Sequence, residues 1–201
     1  MVTWIGRPLV AVLGLLSPLC NAADLAPGVD RNAIFSPSLL NPAQRFEVRV
    51  GAFYHGIGTI ERDTVDANLE IVFPRLPIGS TEWWAIFVPR PHLGGFLNTS
   101  GRTSAAYAGG LWTFPIYDRF FAEFFFGGAI HNGLADGSAT RAPLGCSFGF
   151  NFGSSLGYRI NASWSLMATY NHMSNGNSSV GTNCSRNEGI NNLGAKLGYS
   201  F

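Results

Sequence analysis

The segment Tyr170-Asn171-His172-Met173-Ser174-Asn175-Gly176 holds the residue types in this chain best suited to chemistry. A serine hydroxyl is a poor nucleophile until a neighbouring base takes its proton, and imidazole is a common base for that step. If the segment is a strand, His172 and Ser174 lie on one face with Cα atoms roughly 7 Å apart, within reach of each other. Asn175 offers amide and backbone donors to a developing oxyanion. Further on, Asn191 could accept the second imidazole N–H and fix the tautomer, the third role of a triad, which asparagine fills in some nucleophilic enzymes. Glu188 is the only carboxylate near these residues in sequence. His, Ser and Asn are equally ordinary at the edge of a loop, so the elements that carry them decide the matter.

Those elements are strands. Read with period two, Trp164, Leu166, Ala168 and Tyr170 form an apolar row, and Ser165, Thr169 and Asn171 lie opposite. His172 and Ser174 continue the apolar row. In the last segment Leu193, Ala195, Leu197, Tyr199 and Phe201 alternate with Asn192, Gly194, Lys196, Gly198 and Ser200, which puts Asn191 on the apolar side too. The same alternation marks Phe46–Gly56, Val65–Phe73, Trp84–Leu97, Ala105–Tyr117, Phe120–His131, Ser147–Ile160, Trp164–Met173 and Asn191–Phe201 as strands. Trp84–Leu97 is the least regular, because Pro89 and Pro91 each remove a ladder donor. Bulky residues occupy one side of each strand and small or charged ones the other, the pattern of a transmembrane barrel with hydrocarbon outside and polarity within.

Composition agrees. Of 201 residues, 46% are hydrophobic and only 12% charged, against about a quarter charged in a water-soluble domain. The net charge of +1 argues against a nucleic-acid partner. Residues 1–22 read as a cleaved signal peptide: Arg7 precedes an apolar run, and Cys20-Asn21-Ala22 resembles a cleavage site. Ser17-Pro18-Leu19 is a poor lead into a lipidated Cys20. Residues 23–44 have no period and are expected to be a periplasmic lead-in, leaving 45–201 as the barrel. No later apolar run approaches the ~18 residues of a spanning helix. An exported, greasy chain without such a helix closes its backbone hydrogen bonds in lipid by forming a barrel. The expected fold is all-β: an eight-stranded antiparallel transmembrane β-barrel. Turns are short at Asp118-Arg119 and Asn161–Ser163, and long at Asn98–Ser104, Asn132–Gly145 and Ser174–Ile190.

Cys146 and Cys184 fall beside or within long loops of neighbouring strands, and an oxidising compartment favours a disulfide between them. His55 and His131 share the inner face with Glu47, Arg49, Glu123 and Arg159, as a hydrogen-bonded plug rather than a metal site, since small barrels are filled by side chains. Arg102, Arg141 and Arg186 sit in long loops, where they are solvated or pair with lipid phosphates. No metal motif or cofactor-binding loop is present.

The segments His172-Met173-Ser174-Asn175, Asn187-Glu188-Gly189-Ile190-Asn191 and Leu197-Gly198-Tyr199-Ser200-Phe201 resemble the outer-membrane lipid A 3-O-deacylases and their relatives, the acyloxyacyl hydrolases. Pro91-His92-Leu93-Gly94-Gly95 and Phe126-Gly127-Gly128-Ala129-Ile130-His131-Asn132-Gly133 are similar to the same group. The resemblance spans most of residues 45–201 and is strongest from 158 onward. It implies a serine esterase of the bacterial outer membrane that removes the ester-linked 3-O acyl chain of lipid A, with lipopolysaccharide in the outer leaflet as partner. Carried over, Ser174 is the nucleophile, His172 the base and Asn175 an oxyanion contributor. The chain departs from the family at the acid: glutamate follows the Gly-Ile pair in the family, and Asn191 stands there instead. Asn191 orients His172, or Glu188 does, or activity is weakened; parity favours Asn191. The alternative function is a non-catalytic structural or binding barrel. The sequence leaves open whether the barrel is a monomer or a homodimer.

Overall fold

The computed structural model describes residues 45–76, 87–176, 184 and 186–201, so the expected signal peptide and lead-in lie outside the described residues. Eight strands follow in order: β1 (Glu47–His55), β2 (Thr64–Val72), β3 (Arg90–Asn98), β4 (Ala105–Tyr117), β5 (Phe120–His131), β6 (Phe148–Arg159), β7 (Trp164–Ser174) and β8 (Ile190–Ser200). Each pairs with its successor and β8 closes onto β1. The two closing strands run antiparallel, with Glu47 opposite Ser200 and Tyr54 opposite Leu193. Closure leaves no sheet edge and pairs the backbone without water, the condition for crossing a bilayer with strands.

Alternation decides which side faces out. Val50, Leu69, Leu93, Phe124, Phe126, Leu156, Leu166 and Leu193 are exposed on the outer wall. Rings gather at the short-turn end of that wall: Trp164 lies 4.8 Å from Tyr199, and Phe120 lies 5.0 Å from Tyr158. Such a belt suits a membrane interface.

The inside is not uniformly small or polar. Phe53, Phe121, Phe125 and Leu111 are buried there, in space left by glycines. A Cβ on Gly157 would come within 2.1 Å of the Phe121 ring, and one on Gly194 within 2.5 Å of Phe53. Between these rings runs an ion network. Arg49 donates to Glu123 through two nitrogens at 2.8 Å each, and to Glu47 at 3.0 Å. Lys196 Nζ and His92 Nδ1 approach Glu70 at 2.9 and 2.8 Å. Arg90 reaches Glu47 at 3.3 Å. Three carboxylates (Glu47, Glu70, Glu123) thus face three cations (Arg49, Arg90, Lys196), all buried.

One strand differs from the sequence reading. β3 begins at Arg90, not Trp84; residues 84–86 lie outside the described residues. Pro89 precedes the strand and Pro91 is its second residue, where a missing donor costs least. The connection from β2 to β3 is therefore long although it lies at the short-turn end.

At the opposite end a second polar cluster ties three loops together. Glu61, in the β1–β2 loop and fully buried, accepts hydrogen bonds from Thr103 N at 2.7 Å, Thr103 Oγ1 at 2.9 Å and Ala142 N at 2.9 Å. It also lies 3.2 Å from His55 Nε2 and 3.4 Å from Arg141 Nε. Burial alone would raise its pKa, but the hydrogen bonds from His55, Thr103 and Ala142 outweigh that and hold it at about 2.

Arg49→Met leaves Glu123 and Glu47 short of a buried cation, which is expected to destabilise the barrel by about 3–5 kcal/mol. The urea midpoint in detergent, followed by heat-modifiable gel migration, reads this; an unchanged midpoint contradicts it. Because the folded-state pKa of Glu61 is depressed below its ordinary value of 4.5, its contribution is present above that value. It is lost as pH falls through the folded value of about 2. Protease cleavage within 132–147 should therefore rise on acidification toward that value, and Glu61→Gln should show the raised cleavage already at neutral pH.

Candidate active site

Three strands and two loops build the site. β6, β7 and β8 are neighbours, and their registers place Phe152 opposite His172 and His172 opposite Asn191. All three residues are half-buried and share the outer wall with exposed Tyr170 and Leu193, while Asn171, Met173 and Asn192 point inward and are buried. The imidazole is held on two sides. The Phe152 ring centroid lies 4.8 Å away, and His172 Nδ1 lies 2.6 Å from Asn191 Oδ1. Gly189, at φ 69°, closes the edge: a Cβ there would stand 3.0 Å from His172 Cε1. That close approach together with left-handed backbone explains glycine at this position.

Asn191 is itself fixed. Its Oδ1 also accepts the Tyr170 hydroxyl at 2.7 Å, and its Nδ2 donates to the Ile57 carbonyl at 3.3 Å. The Ile57 N–H donates back to the Asn191 carbonyl at 2.8 Å, so the β1–β2 loop is stitched to the start of β8.

Ser174 is the last residue of β7, opposite Phe150 and half-buried on the same face as His172. Among the described residues no direct hydrogen bond joins its hydroxyl to the imidazole. Catalytic hydrogen bonds are often long without substrate and tighten when it binds.

The structure gives Asn175 a different task from the one expected. Its side chain is buried, with Nδ2 donating to Leu144 O at 2.5 Å and Arg186 O at 2.6 Å, and its backbone N–H donates to Asn187 Oδ1 at 3.0 Å. These donors brace the β7–β8 loop against the β5–β6 loop instead of facing the His172 row. Glu188 is exposed, and among the described residues no ion pair links it to His172; its backbone N–H donates to Pro143 O at 3.1 Å. Cys146 and Cys184 are joined in the structure with Cα atoms 5.5 Å apart, a further tie between the same two loops.

The other residues singled out in the sequence lie away from this row. His55 sits inside, between Asp66 at 2.8 Å and Glu61. His131 ends β5 and accepts a hydrogen bond from Gly133 N at 3.2 Å. Arg159 lies over the Phe121 ring at 4.8 Å. Arg102 donates to Thr140 O at 2.6 Å, Arg141 is drawn into the Glu61 cluster, and Arg186 is exposed. Tyr170, Phe152 and Gly189 were not recognised as site residues in the sequence. Tyr170 reaches Asn191 diagonally across to the next strand, a contact that parity along one strand does not reveal.

A closed eight-stranded barrel with an apolar outer wall, interrupted near one end by an imidazole, an amide and a hydroxyl, defines a small bacterial outer-membrane protein with a polar notch facing the membrane. Residues 77–200 match the family described as lipid A 3-O-deacylase (PagL), and the chain belongs to that family. Solved structures share the fold. The outer membrane enzyme PagL superposes with a TM-score of 0.50 at 17% identity, over 76% of this chain and 97% of that one. Neisserial surface protein A gives a TM-score of 0.50 at 12% identity, over 78% and 97% of the two chains. A de novo designed transmembrane β-barrel gives 0.50 at 14% identity, over 78% and 95%. No curated protein matches the chain.

The loop ties generate a prediction. Cys184→Ser should free one anchor of the β7–β8 loop and lower stability by about 2–4 kcal/mol. Limited proteolysis without reductant is expected to cut the variant, but not the parent, within 175–189; equal resistance contradicts the bracing role.

Proposed function

We propose that this barrel is a serine esterase that removes the ester-linked 3-O acyl chain of lipid A from lipopolysaccharide in the outer leaflet. The long-loop end is then the cell exterior. Membership of the deacylase family supports the substrate class. The observation that carries the mechanism is the 2.6 Å contact of His172 Nδ1 with Asn191 Oδ1, on a wall that faces lipid.

An amide oxygen accepts and does not donate, so Nδ1 carries the proton and Nε2 presents its lone pair. Nε2 takes the proton of Ser174 Oγ as that oxygen attacks the acyl carbonyl. The tetrahedral intermediate collapses with expulsion of the sugar 3-oxygen, which takes the proton back from His172. Water, deprotonated by the same nitrogen, then attacks the acyl-serine, and the fatty acid leaves as Ser174 regains its proton. A site on the outer wall suits this substrate because the bilayer delivers the ester to it.

Asn191 fills the orienting role here. A neutral amide fixes the tautomer but stabilises the transient imidazolium less than a carboxylate does, so turnover is slower than with glutamate at this position. The Asn175 donors are committed within the loops; its contribution to the site is the placement of Ser174, the residue before it.

Mass spectrometry of lipid A from cells expressing the protein tests the proposal. Loss of one hydroxyacyl chain with wild type, and its retention with Ser174→Ala at equal membrane abundance, is expected. Unchanged lipid A with both proteins favours a non-catalytic barrel and overturns the esterase reading.

A further inference from the structure

Three donors and acceptors converge on the Asn191 side chain, and only one orientation of its amide satisfies them. Its Nδ2 lies 3.3 Å from the Ile57 carbonyl oxygen, which accepts and cannot donate. Turning the amide over would set two carbonyl-type oxygens against each other. Its Oδ1 must therefore face the other way, toward Tyr170 Oη at 2.7 Å and His172 Nδ1 at 2.6 Å. An amide oxygen has two lone pairs, and here one takes the phenol O–H and the other the imidazole N–H.

From this geometry we infer that Tyr170 is a positioning residue, which together with the Ile57 carbonyl holds the Asn191 amide so that His172 is kept as the Nδ1–H tautomer. The inference rests on the proposed esterase reading for its catalytic consequence, though the tautomer itself does not depend on it. Tyr170 suits the task. Its ring lies on the lipid-facing wall, two register pairs below the His172–Asn191 pair, and its hydroxyl reaches across to Asn191 on the neighbouring strand. Its bond to the Asn191 oxygen lies on the lipid-facing wall, where a hydrogen bond is electrostatically stronger than in bulk water.

The same contacts distinguish Asn191 from aspartate, the acid of the same size and shape. An aspartate at the Asn191 position would turn one of its oxygens toward the Ile57 carbonyl and lose the hydrogen bond that now joins the β1–β2 loop side of the site. The amide donates on that side and accepts on the other.

The test is nitrogen NMR of protein labelled with [15N]histidine and reconstituted in lipid nanodiscs. The His172 signals are assigned by their loss in His172→Gln. Wild type is expected to show a protonated Nδ1 and a bare Nε2. Tyr170→Phe, checked for folding by heat-modifiable migration, is expected to show a mixture of tautomers. In lipid A hydrolysis its kcat should fall about three- to tenfold, the worth of one hydrogen bond, with KM unchanged. A wild-type ring protonated at Nε2 overturns the inference, even if Tyr170→Phe does not insert. So does a Tyr170→Phe protein with the wild-type tautomer and kcat. If the tautomers shift as expected but neither protein releases fatty acid, the positioning role stands and the esterase reading falls. If Ser174-dependent hydrolysis is present and Tyr170→Phe changes nothing, the reverse holds.

Discussion

Arg49 is buried in the lumen with carboxylates from three strands around it, Glu47 on its own strand, Glu70 on β2 and Glu123 on β5. All of these charges are buried, and isolated charges at such burial cost several kcal/mol each. Paired, they fill the lumen and hold opposite walls of the barrel together. They also settle which way every strand faces. A shift of one residue would carry Arg49, Glu70, Glu123 and Lys196 into hydrocarbon, a penalty that no regained apolar contact on the other face could offset.

The location of the site follows from that constraint. Lys196 binds Glu70 inside, which sets β8 with Leu193 and Asn191 outward. The β7–β8 register then puts His172 beside Asn191. Nothing local to His172, Ser174 and Asn191 would keep three polar residues on a membrane-facing wall; the charges inside keep them there. The loops add the second level of control. Glu61 ties the β1–β2, β3–β4 and β5–β6 loops together, while Asn175 and the cysteine pair join the β5–β6 and β7–β8 loops. Because Ile57 and Gly189 belong to these loops, the knot that closes the barrel's end also shapes the rim of the imidazole pocket.

Much of this was legible in the sequence because period-two alternation survives wherever one face meets lipid. The inward set Glu47, Arg49, Gly51, Phe53 and His55 and the outward set Val48, Val50, Ala52 and Tyr54 were readable directly. So was Asn191 on the same face as His172. Three things were not. The start of β3 was blurred by Pro89 and Pro91, which each remove a ladder donor on either side of Arg90, where the described strand begins. The fate of the Asn175 donors depended on the Leu144 and Arg186 carbonyls, brought near only by loops far apart in sequence. The Tyr170–Asn191 bond runs diagonally between strands and needs a side-chain direction as well as a register. The tie made by Glu61 is equally invisible in sequence, since a lone loop carboxylate carries no periodic signal.

The wall bearing His172 and Ser174 meets acyl chains, while the side chains that alternate with them in sequence point into the barrel. Nuclear Overhauser contacts between lipid acyl protons and the protein in nanodiscs measure this directly. Contacts are expected from acyl methylenes to the His172 ring, the Ser174 Cβ and Tyr170, and none to the side chains of Asn171 and Met173. Contacts to Asn171 and Met173, with the His172 ring silent, would turn the strand over and contradict it.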